Sequence, residues 1–205
     1  MQDVDGELCI VFNGEIYNYQ TLREELIAAG HTFTTKSDTE VLLHGYEQWG
    51  VDLLQRVRGM FTFVIWDKNK QELFGARDHF GIKPFYYAKM NGTFMYASEI
   101  KSLLRHPDFV KELNAEALKP YMTFQYPAIG ETFFKGVYKL PEGHYFTYRD
   151  GKMDIHRYYD EDFREGKQKL GELVNSIDQT VCDSVKAHQI ADVEVGSFLS
   201  SGVDS

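Results

Sequence analysis

"CIVFNGEIYN", Cys9 to Asn18, decides how the first quarter of the chain is read. Its first half is apolar and β-branched, the pattern of a buried strand. Asn13-Gly14 then offers the strongest short signal for a two-residue hairpin turn. Yet no alternating strand follows. "YQTLREELIAAG" places Tyr19, Leu22, Leu26 and Ile27 at near-helical spacing and stops at Gly30, which predicts a helix. "GELCIVFNG" is therefore expected to be a strand that ends in an Asn-Gly turn and leads into a helix. A tight turn exposes backbone N–H groups, and asparagine adds a side-chain amide. Those are donors for an anion, or for the oxyanion of an acyl-transfer intermediate.

Further along, "HTFTT" predicts a short strand. "SDTEVLLHGYEQWG" opens on a Ser/Asp cap and closes at Gly50, as a second helix does. "MFTFVIWD" and "QELFGARD", separated by "KNK", predict a hairpin. "KPFYYAKM" and "TFMYASE" predict another around Asn91-Gly92, this time with strands on both sides. "EIKSLLRH" and "NAEALKPYMTF" read as helices, and "TFFKGVYKLPEGHYFTYRDGKMDIHRYY" supplies more strands. Strands this apolar on both sides belong to a sheet covered on each face. The expected class is α+β, a layered sandwich of helices and antiparallel sheets.

Near Tyr159 the character shifts. "DEDFREGKQKLGE" is charged and linker-like. Leu170, Leu173, Val174, Ile177, Val181 and Val185 then form the stripe of an amphipathic helix. Two parts are expected, residues 1–160 and 161–205. The second ends on "SFLSSGVDS", read as a strand followed by a loop of Ser200, Ser201, Gly202, Val203, Asp204 and Ser205. Small residues let backbone N–H groups approach a phosphate, and the hydroxyls add donors. The loop has no lysine and is not of the GxxxxGK[ST] form.

The 205 residues are 43% hydrophobic and 15% aromatic, enough for a packed core, and carry a formal net charge of −9. With no Lys/Arg-rich run, nucleic acid and anionic membrane are not expected partners. No apolar stretch approaches the ~20 residues that span a bilayer, and "MQDVDGELCIVF" is not a secretory signal. Cys9 and Cys182 give no disulfide framework. A reducing, cytoplasmic setting is the expectation. His31, His44, His79, His106, His144, His156 and His188 show no metal-ligand spacing, so no metal site is expected. On the residues alone, Asn13-Gly14 reads first as a plain turn and Asp38 first as an N-cap.

Taken together, "FNGEIYNYQTLREEL", "SDTEVLLHGYEQWG", "LLQRVRGMFTFVIWD", "ARDHFGIKPFYYA", "ASEIKSLL", "LPEGHYFTYRDGKMDIHRYY" and "SFLSSGVDS" resemble the glutamine-hydrolysing asparagine synthetases. The blocks stand in order over nearly all of the chain. The resemblance implies a class II glutamine amidotransferase domain of the N-terminal-nucleophile hydrolase fold, a four-layer α/β/β/α sandwich. It also implies the start of an α/β ATP-pyrophosphatase synthetase domain. It assigns Asn13 and Gly14 to the oxyanion hole and the glutamine site, and Glu15 and Asp38 to the α-amino group of glutamine. The terminal "SSGVDS" would be the pyrophosphate loop, with Phe198 and Leu199 leading into the nucleotide site. The family usually carries two glycines where this chain has Ser201-Gly202. Glutamine, aspartate and ATP with Mg are the implied small molecules of the full-length enzyme, none of them expected bound to this piece. A homodimer is compatible with the family.

The family's nucleophile is a cysteine at the very amino terminus, whose own amine serves as base. Residue 2 here is Gln2, and the family's first strand and carboxylate-binding arginine lie upstream of Met1. The chain is therefore expected to be a fragment cut at both ends and inactive as it stands. Cys9, inside an apolar strand, is not expected to replace the nucleophile, and Cys182 reads as core or surface. Arg77, Asp78, Lys83 and Pro84 are read as structural. Two readings are carried forward. One is a piece of an enzyme transferring glutamine nitrogen to aspartate or to a different acceptor. The other is a non-catalytic glutamine-binding or dimerisation module.

Overall fold

Strand β2 (Gly59–Asp67) buries Phe61, Phe63 and Ile65 on one face and Val64 on the other, which is what its unbroken apolar run requires. In the computed structural model the residues described are 1–3, 5–126, 130–164, 166–191 and 193–202. They fall into two units, Met1–Glu161 and Asp162–Ser205. In the first unit β2 pairs with β1 (Leu8–Ile16) on one side and β3 (Glu72–Arg77) on the other. β7 (His144–Arg149) and β8 (Lys152–Arg157) complete a five-stranded antiparallel sheet of order β1-β2-β3-β7-β8. A second sheet has the order β5-β4-β6, from β4 (Tyr86–Met90), β5 (Thr93–Ala97) and β6 (Val137–Lys139).

Three apolar layers join these elements. Helices α1 (Tyr19–Ala28) and α2 (Asp38–Trp49) set Leu22, Leu26, Val41 and Leu42 against Ile10, Phe61 and Phe74 of the large sheet. Phe146 and Val64 meet Phe85 and Leu140 between the two sheets, and there Phe94 stacks on Tyr148 at 4.3 Å. On the far side of the small sheet, Ala88, Met95 and Val137 pack on Leu103 of the short helix α3 (Ile100–Leu103). Helices, sheet, sheet and helix make the expected four-layer sandwich. Helix α4 (Ala115–Phe124) buries Ala117 nearby in the chain.

Three local expectations are corrected. First, Asn13-Gly14 is not a turn: β1 runs through both residues in unbroken register, with Asn13 opposite Thr62 and Gly14 opposite Phe61. A Cβ on residue 14 would stand 2.2 Å from the Met60 carbonyl oxygen. Glycine is there because two backbones nearly touch, not because the chain reverses. The link to α1 is tied by Asn18 instead, whose Nδ2 donates to Arg56 O (2.8 Å) and whose Oδ1 accepts from Arg58 N (2.8 Å). Second, "HTFTT" forms no strand. The Thr34 and Thr35 N–H groups that a ladder would use donate to the Glu40 carboxylate at 2.7 and 2.6 Å. Third, residues 193–202 hold no strand. An extended segment needs a neighbour for its backbone groups, and the described part of the second unit offers only helix α5 (Leu170–His188). The hairpin at Asn91-Gly92 does form, with φ of 49° and 82° at its two corners.

The turn after β2 carries a buried polar clamp. Asp67, 4% exposed, accepts from Lys70 N (2.9 Å) and from the Tyr46 hydroxyl (3.3 Å), and pairs with Lys70 Nζ at 2.9 Å. Burial alone would raise the carboxyl's pKa, but these partners together outweigh it and hold it below the ordinary value of 3.8. A carboxyl depressed in the fold contributes stability above its unfolded value and loses it as pH falls toward the folded one. Asp67→Asn is expected to flatten the acid limb of stability below about pH 4. Denaturant titrations at stepped pH check this, and limbs of equal slope in the two proteins would refute it.

Candidate active site

β1 is an edge strand, and its hydrogen-bond phase decides what the edge offers. The Met1 ammonium donates to Ile10 O at 2.9 Å, and Ile10 N donates to Met1 O at 2.8 Å. Ile10 therefore faces away from β2. In an antiparallel ladder the facing alternates residue by residue. Asn13 and Glu15 thus spend their main-chain groups on β2, whereas the N–H groups of Phe12 and Gly14 point off the open edge. The next N–H in that series, Ile16, donates to Asp38 Oδ2 at 3.1 Å. The Asp38 carboxylate therefore sits against the same edge, two residues or about 7 Å from Gly14.

Side chains alternate in the same way. Ile10 and Ile16 enter the helix-side core, so Val11, Asn13 and Glu15 lie on the face toward the small sheet. There the Asn13 Nδ2 donates to Ser98 Oγ at 3.0 Å. Asn13 and Ser98 help to line a cavity of about 90 Å³ with Val11, Thr62, Tyr96 and Ala97. Glu15 is half-buried on this face. Burial, with the charges of Glu15 and Asp78 adding to it, raises the pKa of the Tyr17 phenol and keeps it neutral.

Asp38 is positioned by capping chemistry. Ser37, not Asp38, is the N-cap of α2, its hydroxyl accepting from Thr39 N at 3.1 Å. That leaves the Asp38 carboxylate in the first turn, where the helix dipole favours negative charge. Of the four residues singled out in the sequence, Gly14 and Asp38 lie along the open edge of β1, while Asn13 and Glu15 turn their side chains onto the adjoining sheet face. Cys9 lies on β1 opposite Trp66, four positions or about 13 Å along the strand from Asn13.

The nucleotide residues are not assembled in the same way. Phe198 and Leu199 are exposed, and among the described residues their segment forms no strand. Gly202 N donates to Ser200 Oγ at 3.1 Å, a local turn that includes Ser201. Val203, Asp204 and Ser205 lie outside the described residues.

Sequence reasoning missed Ser98. It lies 85 residues from Asn13 and has no spacing relation to it; only the stacking of the two sheets brings the hydroxyl to the amide. The structural reading of Arg77 and Asp78 gains detail. Arg77 donates to the carbonyls of Lys83, Leu140 and Gly81 at 2.6–2.7 Å. The Asp78 carboxylate accepts from the N–H groups of Phe61, Phe80, Ile82 and Lys83 at 2.9–3.2 Å.

Comparison with known proteins adds independent findings. A family model described as "Glutamine amidotransferase domain" matches residues 1–159, and one described as "Asparagine synthase" matches residues 176–205. "Asparagine synthetase [glutamine-hydrolyzing] 1" of Bacillus subtilis is 46% identical over 98% of this chain and 32% of its own length. "Asparagine synthetase [glutamine-hydrolyzing] 3" of the same organism is 37% identical over 96% of this chain and 32% of its own length. The chain thus spans about a third of the length of these relatives. Among solved structures, glutamine phosphoribosylpyrophosphate amidotransferase of B. subtilis, complexed with ADP and GMP, superposes with a TM-score of 0.53. That superposition covers 78% of this chain and 31% of the other at 21% identity, a likeness of fold alone. With the first 159 residues matched by one family model and the sandwich shared with a solved amidotransferase, this chain belongs to the glutamine amidotransferase domain family.

Proposed function

We propose that residues 1–160 hydrolyse glutamine within a larger enzyme that makes asparagine from aspartate and ATP. Residues 161–205 are then the linker, helix and opening of its ATP-dependent synthetase domain, with the segment from Phe198 to Ser205 lining the nucleotide site and Mg accompanying the ATP. The observation that supports this reading is the open edge of β1, which the Gly14 N–H leaves two residues from the Asp38 carboxylate, with the Asn13 amide on the adjoining sheet face. The Asn13 amide leaves the strand through the sheet face and the Gly14 N–H leaves through the edge. A carbonyl oxygen at that corner receives both.

In this mechanism the glutamine side-chain amide lies along the edge. Glu15 and Asp38 hold its α-ammonium by charge. Attack on the amide carbon by a thiolate creates a tetrahedral oxyanion, which Asn13 and Gly14 stabilise more strongly than the ground-state carbonyl. Collapse, with the proton taken from the thiol passing to the departing nitrogen, expels ammonia and leaves a thioester, and water then cleaves the thioester to glutamate and the free thiol. Ser98 fixes the Asn13 amide. Cys9 stands too far along the strand to attack at this corner, so the nucleophile is assigned outside these 205 residues. Both cysteines are free thiols, which suits the cytoplasmic setting expected of such an enzyme.

The test is glutamine binding to the 205-residue protein, read at the backbone amide of Gly14 by nuclear magnetic resonance. Millimolar glutamine should shift the Gly14 amide resonance without being turned over, and Asp38→Asn should abolish the shift. A Gly14 resonance unmoved by glutamine, or release of glutamate by this chain alone, would contradict the assignment.

A further inference from the structure

The histidines that show no metal spacing in sequence are regrouped by the fold. His31 follows the end of α1, and His44 and Glu47 lie one turn apart on α2. Glu47 Oε2 is 3.4 Å from His31 Nδ1 and 3.2 Å from His44 Nδ1, and the three donor atoms lie within 4.8 Å of one another. A tetrahedral zinc shell with bonds of ~2.0–2.1 Å has ligand-to-ligand edges of about 3.3–3.4 Å. Two of the three edges already have that length. The two imidazoles stand 5.0 Å apart and tilted by 46°, and the rings must turn toward one another to bring the third edge to that length.

The outer atoms point the same way. His31 Nε2 lies 2.9 Å from Gln48 Oε1. With the ring proton on Nε2 donated to that amide oxygen, the Nδ1 lone pair faces Glu47. His44 turns its Nε2 toward Glu40 at 3.9 Å, with its Nδ1 likewise toward Glu47. In the tautomers that carry their protons on Nε2, both Nδ1 lone pairs face the Glu47 carboxylate, and a cation between them would bind all three. A ligating histidine whose other nitrogen is held by an oxygen acceptor is the usual support of a metal site, and His31 has that support from Gln48. His44 is buried, and the His31 side chain is 13% exposed. Glu47 is 54% exposed, which leaves an entry path and room for a water as fourth ligand.

We propose that His31 Nδ1, His44 Nδ1 and Glu47 Oε2 bind a zinc-type divalent cation. Two imidazoles and one carboxylate suit zinc better than calcium or magnesium, which prefer oxygen ligands. The bound ion ties the segment after α1 to α2, the helix whose first turn carries Asp38. This site is independent of the glutamine-binding reading and would stand if that reading failed.

The test is zinc titration of the chelator-stripped 205-residue protein by calorimetry, alongside its melting temperature. One equivalent is expected to bind with a dissociation constant at or below roughly 10 µM and to raise the melting temperature by several degrees. Glu47→Gln, at an exposed position, should leave the apo fold intact by circular dichroism and weaken uptake at least about tenfold. His31→Gln should do the same. Cobalt in place of zinc should show the visible bands of a four-coordinate ion, lost in both variants. Uptake equally tight in Glu47→Gln would place the metal elsewhere and overturn the proposal. A melting temperature indifferent to zinc and to chelator would overturn it too, leaving protons to bridge the rings and the carboxylate.

Discussion

Asn13→Ala is expected to lower kcat for glutamine hydrolysis by about 10²–10³ in a glutaminase that carries this chain, with KM little changed. The split follows from where the amide acts. In the proposed mechanism its hydrogen meets an oxygen that becomes fully negative only after attack, so the contact tightens in the transition state. Asn13 is exposed and its main chain is held by β2 whatever the side chain, so truncation should not disturb the fold. Ser98→Ala is the informative companion. It removes the hydroxyl that accepts from Asn13 Nδ2 at 3.0 Å and leaves the amide present but less fixed. A loss smaller than that of Asn13→Ala is expected, and the double variant should be little worse than Asn13→Ala alone. Steady-state kinetics decide: a loss under tenfold for Asn13→Ala would remove it from the oxyanion site.

The largest effect on stability is expected at Asp78. Its carboxylate is 1% exposed and accepts from four backbone N–H groups, of Phe61, Phe80, Ile82 and Lys83. Asp78→Ala leaves all four without that acceptor, the Phe61 N–H in the core and the other three in a part-buried loop. Each unsatisfied buried donor costs about 1–3 kcal/mol, and water entering the vacated space recovers part of it. The net expectation is roughly 3–5 kcal/mol, or a melting point lower by about 10 °C or more in a domain of this size. Asp78→Asn should cost less, because its one remaining oxygen still accepts while its amide nitrogen faces other donors. Thermal and denaturant unfolding of the three proteins check this ranking. A cost under 1 kcal/mol for Asp78→Ala would show that the loop is held by Arg77 and its three carbonyl partners alone.

Much of the architecture was legible without coordinates. Runs such as "MFTFVIWD" and "HYFTYR" carry their own hydrophobic pattern, and Ser37 announces the start of α2 through its cap. The failures share one cause, which is where the backbone groups find, or do not find, their partners. Thr34 and Thr35 have strand-like side chains, but Glu40 claims their N–H groups. Residues 193–199 are written like a strand, but a strand is a relation between two chains of backbone and not a property of one.

The dipeptide Asn-Gly occurs twice and shows where the division falls. At Asn91-Gly92 the two strands that must pair flank the turn at once, so local preference and tertiary pairing agree, and the chain reverses. At Asn13-Gly14 the partner strand begins only at Gly59, and nine consecutive residue pairs with it hold the backbone extended. The linear order of residues was enough to indicate the class of fold, which rests on composition and local periodicity, and the family, which rests on a series of motifs resembling it. Tertiary structure alone decided that the Gly14 N–H leaves through a strand edge, that Ser98 holds Asn13, and that two histidines share a carboxylate. Each of those is a contact across sheets or helices, and its free energy exists only after the chain has closed the intervening loops.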